Sequence, residues 1–126
     1  MKIDHITLAV SSLETSMPYY TALLSLLGFV KVRDHVWTDN DGFFFQFRQS
    51  KAGTTPYERY GAGMNHLGFG VATIAEVERV RDTMKSAGFP VPEIQDFNGS
   101  KALFMKDPDG IRFEVTYYAP GASIVD

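Results

Sequence analysis

The sequence has no cysteine, one tryptophan and three histidines in 126 residues. Without thiols there is no disulfide framework, no zinc–thiolate centre and no cysteine nucleophile. A net charge of −3, with basic residues scattered through the chain, leaves no stripe for a nucleic-acid backbone. No apolar run approaches bilayer-spanning length. Asp4 and His5 interrupt the stretch where a secretory signal would need hydrophobic residues, so a soluble cytoplasmic protein is the expectation. Low-complexity segments are also missing. What is there is apolar and aromatic: 44% hydrophobic residues, with ten Phe and six Tyr, enough for one domain with a buried core.

The chain is written twice. "DHITLAV" (4–10) and "NHLGFGV" (65–71) each read as a short strand with histidine second and apolar residues alternating after it. A capping-box spelling follows each, Ser11 with Glu14 and Thr73 with Glu76. A helical segment then ends in Gly-Phe, as "LLGF" and "SAGF", with glycine suited to a left-handed helix terminus. Pro18 argues for a first helix starting near Ser16, with proline in its first turn and Tyr20, Leu23, Leu24 and Leu27 as its apolar face. The second helix, about 74–87, buries Val77, Val80 and Met84.

Further strands are expected around 30–37, 93–97 and 101–106, and each half closes on "DxDG" and a strand, "DNDGFFFQF" and "DPDGIRFEV". Each half therefore predicts β-α-β-β-β, an α+β fold of two modules at about 2–49 and 64–118. A loop at 50–63 joins them within one domain, and 119–126 is a tail.

Strand parity sorts the side chains. Ile6, Leu8 and Val10 oppose His5 and Thr7; Phe43, Phe45 and Phe47 oppose Gln46 and Arg48. Leu67, Phe69 and Val71 oppose His66, while Phe113 and Val115 oppose Arg112, Glu114, Thr116 and Tyr118. With the apolar faces under the helices, His5, Gln46, His66 and Glu114 would line a cleft if the halves curve around it. Two imidazoles and two oxygens without thiolate suit Zn, Ni, Co, Mn or Fe. Gln46 would either ligate or hydrogen-bond a bound water or substrate. His35, beside Asp34 and Trp37, reads as a strand-edge or cleft-wall residue.

These features together resemble the vicinal oxygen chelate superfamily of glyoxalases, bleomycin-resistance proteins and extradiol dioxygenases. The resemblance runs from about residue 2 to 118, carried by "DHITLAV", "LLGF", "GMNHLGFGV" and "KDPDGIRFEVTYY". It implies a curved mixed sheet around a central cleft, and one divalent metal per site on His5, Gln46, His66 and Glu114. It also implies a homodimer with sites at the subunit interface and a small-molecule substrate. Glu114 and Thr7 would be the catalytic residues: Glu114 or a metal-bound water would move the proton, and Thr7 resembles a threonine that serves the fosfomycin thiol transferases; Trp37, Arg48, Arg112 and Tyr118 would shape the substrate pocket.

Bacterial glyoxalase I usually has glutamate where Gln46 stands, whereas glutamine there resembles methylmalonyl-CoA epimerase. The implied activity is a metal-dependent lyase or isomerase acting on a small oxygenated substrate. A metal-free drug- or aromatic-ligand-binding protein and an Fe(II) dioxygenase are the alternatives.

Overall fold

The computed structural model describes residues 1–122, so the expected tail at 119–126 is seen only to Ala122, and its last four residues lie outside the described residues. Each half of the chain builds one four-stranded mixed sheet and one helix. The first contains β1 (His5–Val10), α1 (Leu13–Leu26), β2 (Val30–Arg33), β3 (Val36–Thr38) and β4 (Phe44–Gln49). The second contains β5 (His66–Gly70), α2 (Ile74–Ser86), β6 (Gln95–Phe97), β7 (Ser100–Lys106) and β8 (Arg112–Tyr117). The doubled β-α-β-β-β pattern is what the sequence predicts, and no helix or strand occurs between Gln49 and His66.

The sheets share one topology. Their orders are β1-β4-β3-β2 and β5-β8-β7-β6, with a parallel pair at one end and antiparallel pairs after it. The chain divides into two compact units, Met1–Tyr57 with Asp107–Asp109, and Glu58–Lys106 with Gly110 onward.

In the first unit, Tyr19, Tyr20, Leu23 and Leu24 of α1 are buried along with Leu8, Val10, Phe45 and Phe47 of the sheet. Phe29, Phe43 and Phe45 meet edge to face, with centroids 5.3–6.4 Å apart. In the second unit Val77, Val80 and Met84 of α2 are buried, as are Leu103, Met105, Phe113 and Val115 of the sheet. Each fully buried aliphatic side chain contributes about 1.5–3 kcal/mol.

The helix ends follow the sequence at three of four places. Thr73 and Glu76 form the reciprocal capping box. Both helices stop on a glycine in the left-handed region, Gly28 at φ 87° and Gly88 at φ 92°. In both, the following phenylalanine donates its N–H back to the helix, Phe29 to Leu24 O and Phe89 to Met84 O.

The start of α1 differs from the expectation. Ser12, not Ser11, is the N-cap and accepts from Thr15 N at 3.2 Å, while the Gln49 side chain accepts from Leu13 N. Ser11 instead gives its N–H and hydroxyl to Asp109. The helix therefore begins a full turn before Ser16 and carries Pro18 in its interior. Pro18 is exposed, so its ring disturbs no packing, and the cost is the N–H missing opposite Glu14 O.

His35 also departs from the expectation. It forms the turn between β2 and β3 at φ 64°, the place that Asn98 and Gly99 take between β6 and β7.

Candidate functional site

Register decides which side chains share a face, because residues opposite each other in neighbouring strands point the same way. In the first unit β1 and β4 pair His5 with Phe44, Thr7 with Gln46 and Ala9 with Arg48. The His5 ring stacks on Phe44 at 4.7 Å. Thr7 Oγ1 donates to Gln46 Oε1 at 3.3 Å, so the threonine of the expected catalytic set holds the glutamine. Arg48 is exposed on the same face. Trp37 is not on it. Its register partner is Phe45, which puts the indole on the side facing α1, almost fully buried, its N–H without a partner among the described residues. The turn at His35 sets this register, which parity within a single strand does not reveal.

In the second unit β5, β8 and β7 align three rungs on one face. His66, Arg112 and Lys106 form the first, Gly68, Glu114 and Phe104 the second, and Gly70, Thr116 and Ala102 the third. The face opens into a cleft of about 900 Å³, with His66, Glu114 and Thr116 on its polar side and Phe97, Phe104 and Tyr118 among its apolar walls. Arg112 stands one rung from Glu114 with its guanidinium 5.6 Å over the Phe104 ring, and its buried Nε has no partner among the described residues.

The chemistry converges on His66 and Glu114. His66 Nε2 lies 3.4 Å from Glu114 Oε2, and Thr116 Oγ1 donates to the other carboxylate oxygen. Glu114 is the less exposed of the pair, 17% against 42% for the imidazole. The opposite ring nitrogen, Nδ1, meets Asn65 Oδ1 at 2.7 Å. In the first unit His5 Nδ1 meets Asp4 Oδ2 at 2.6 Å. Sequence reasoning put Thr116 on the face of Glu114 but gave it no part, and missed Asp4 and Asn65; the visible signal for those two was an acceptor-bearing residue directly before each histidine.

These donors suit a borderline divalent cation. Two ligands with bonds of about 2.0–2.2 Å to one metal stand roughly 3–3.5 Å apart, which the His66–Glu114 separation meets. Each histidine has Nδ1 engaged and Nε2 available. Among the described residues no group of three or more His, Asp or Glu side chains is arranged to hold a metal ion, so the second unit by itself offers a pair. No helix among the described residues is long and apolar enough to cross a membrane.

The family model for the Glyoxalase/Bleomycin resistance protein/Dioxygenase superfamily matches residues 2–115. The chain is 28% identical over 125 residues to the uncharacterized protein YqjT of Bacillus subtilis (strain 168), covering 90% of this chain and 96% of that one. Among solved structures, the fold is similar to a glyoxylase/bleomycin resistance protein/dioxygenase domain from Frankia sp. EAN1pec. The TM-score is 0.78 at 21% identity, covering 97% of this chain and 95% of that one. It is also similar to the genomically encoded fosfomycin resistance protein FosX from Listeria monocytogenes, with TM-score 0.68, 16% identity and 95% of each chain covered. The doubled β-α-β-β-β architecture and a family match over nearly the whole length agree: the chain belongs to the Glyoxalase/Bleomycin resistance protein/Dioxygenase superfamily.

Proposed function

We propose that the protein is a metal-dependent lyase or isomerase of the glyoxalase type, acting on a small oxygenated substrate, with His5, Gln46, His66 and Glu114 as metal ligands. The observation that carries the reading is the His66 Nε2–Glu114 Oε2 pair at 3.4 Å in the lining of the cleft. A divalent cation held there would polarise a carbonyl or hydroxyl of the substrate. Glu114 is then the proton-transfer group: Thr116 fixes one carboxylate oxygen, and the other faces the cleft beside His66. Phe97, Phe104 and Tyr118 exclude water from the bound substrate, and Arg112 offers a positive charge one rung away. A homodimer belongs to this reading and is checked by light scattering, which should give twice the chain mass.

Metal content decides the proposal. Protein purified without chelator and reconstituted separately with Ni, Co, Zn, Mn and Fe should bind near one equivalent per site. His66→Ala and Glu114→Ala should each lower the affinity at least tenfold. Occupancy under a tenth with every metal would sink it. The apolar walls of the cleft favour a second reading, a metal-free binder of an aromatic ligand. That reading wins if a naphthalene-based fluorophore binds equally well before and after chelation and metal never does.

A further inference from the structure

The amide of Asn65 can be oriented in only one way. Its Nδ2 lies 3.0 Å from the Arg59 carbonyl oxygen, an acceptor that requires a donor, so Nδ2 occupies that side. Oδ1 is thereby turned to His66 Nδ1 at 2.7 Å, and an oxygen there requires Nδ1 to carry the proton. A neutral His66 ring is then bare at Nε2, the nitrogen that faces Glu114 Oε2. Two acceptors confronting each other at 3.4 Å repel unless a positive charge, a second proton on the ring or a cation, lies between them. The first unit repeats the device with a different residue. Asp4 Oδ2, an acceptor with no donor capacity when ionised, meets His5 Nδ1 at 2.6 Å and leaves that Nε2 bare as well.

We propose that Asn65 and Asp4 are positioning residues that hold His66 and His5 in the Nδ1–H tautomer, so that each ring keeps its Nε2 lone pair free to ligate a divalent cation. An imidazole in water prefers the proton on Nε2, so each neighbour works against the ring's own preference. The Arg59 carbonyl is the anchor of the second relay, because it sets the Asn65 amide. The pair also differs in charge. A carboxylate behind His5 strengthens its donor nitrogen more than an amide behind His66 does. The tautomer assignment follows from the hydrogen bonds alone; only its use toward a cation rests on the metal-dependent reading.

The test is ¹⁵N ring-nitrogen NMR of metal-free protein, at a pH where the rings are neutral, with zinc titrated in a parallel experiment. Wild type should show both rings as Nδ1–H. Asn65→Leu, of similar size and without an acceptor, should return His66 to Nε2–H and weaken zinc roughly 10–100-fold. Asn65→Asp should keep the tautomer and most of the affinity. Asp4→Ala should likewise lose the Nδ1–H tautomer at His5. If a replacement fails to fold, the conservative variant and the wild-type tautomer still decide the matter.

A wild-type His66 found as Nε2–H overturns the proposal, as does an Asn65→Leu variant with unchanged tautomer or unchanged zinc affinity. Rings that respond as described in a protein that binds no zinc would support the positioning role and remove the metal-dependent reading instead.

Discussion

Thr116 shows how much a single hydroxyl can be asked to do. It donates to Glu114 from the same strand, whereas in the first unit Thr7 donates to Gln46 from the neighbouring strand. Thr116→Val keeps the shape and the β-branching that suit a strand and removes the donor. Glu114 then loses its fixed rotamer. The expectation is a roughly 10-fold or greater fall in metal affinity and turnover, with Tm changed by only a few degrees; Thr7→Val, which acts on a neutral amide through a longer bond, should do less. Titration with Co(II) followed by its visible spectrum separates the two, and equal losses would contradict the assignment. At this scale the sequence was partly legible. That His5 and Gln46 share one face of their sheet, and His66 and Glu114 one face of theirs, could be read because strand parity and the repeated spelling mark the positions twice. Asn65 and Thr116 could not, since their roles depend on which oxygen or nitrogen each side chain turns toward a neighbour. Trp37 went astray for a related reason: its face depends on pairing with Phe45, which lies in another strand.

Elements inherit their boundaries from contacts as well as from propensity. The sequence placed the capping box of α2 and the glycine ends of both helices, because those signals are local. It misplaced the start of α1, because Ser11 is occupied by Asp109 and the exposed helix N–H of Leu13 is met by Gln49, residues 98 and 36 positions away. Pro18 is tolerated inside α1 for the same reason: buried Tyr19, Tyr20, Leu23 and Leu24 outweigh one missing hydrogen bond. Pro18→Ala restores that bond at an exposed position, while the freed unfolded chain offsets part of the gain. A net stabilisation of about 1–2 kcal/mol is expected, read as a rise in Tm of several degrees; a fall would mean the proline ring packs. In β5 the glycines are a different case. A Cβ at Gly68 or Gly70 meets nothing within 4 Å, and neither has positive φ. Gly70→Ala should therefore stabilise the strand by about 0.5–1 kcal/mol, and a loss of stability would show that the space over β5 is filled in solution.

At the scale of the molecule, the two sequence repeats are told apart by what the turns before their last strands do. Asp39 serves its own turn, accepting from Asp41 N and Phe43 N. Asp107 serves its own turn through Asp109 N and also accepts the Tyr20 hydroxyl at 2.5 Å, deep in the first unit. Such a bond, between residues 87 apart, leaves no trace in local pattern. The burial of the two phenols around it brings a pH dependence. Burial first, and the nearby Asp107 charge second, push the Tyr19 and Tyr20 phenols up well above their ordinary 10.0. A group whose folded pKa is raised gives its full stability below the unfolded value and loses it as pH climbs above that value, because the unfolded chain releases protons that the folded chain keeps. Stability should be level through neutral pH and fall above about pH 10 by roughly 1.4 kcal/mol per pH unit for each of the two phenols. Thermal melts at half-unit steps from pH 8 to 11 measure the slope. Tyr19→Phe should about halve it without touching the Tyr20–Asp107 bond, whereas Tyr20→Phe also strips Asp107 of a donor and should lower Tm at neutral pH. A wild-type Tm that stays level to pH 11 would mean that the phenols ionise inside the fold, and that Asp107 is not sealed from water with them.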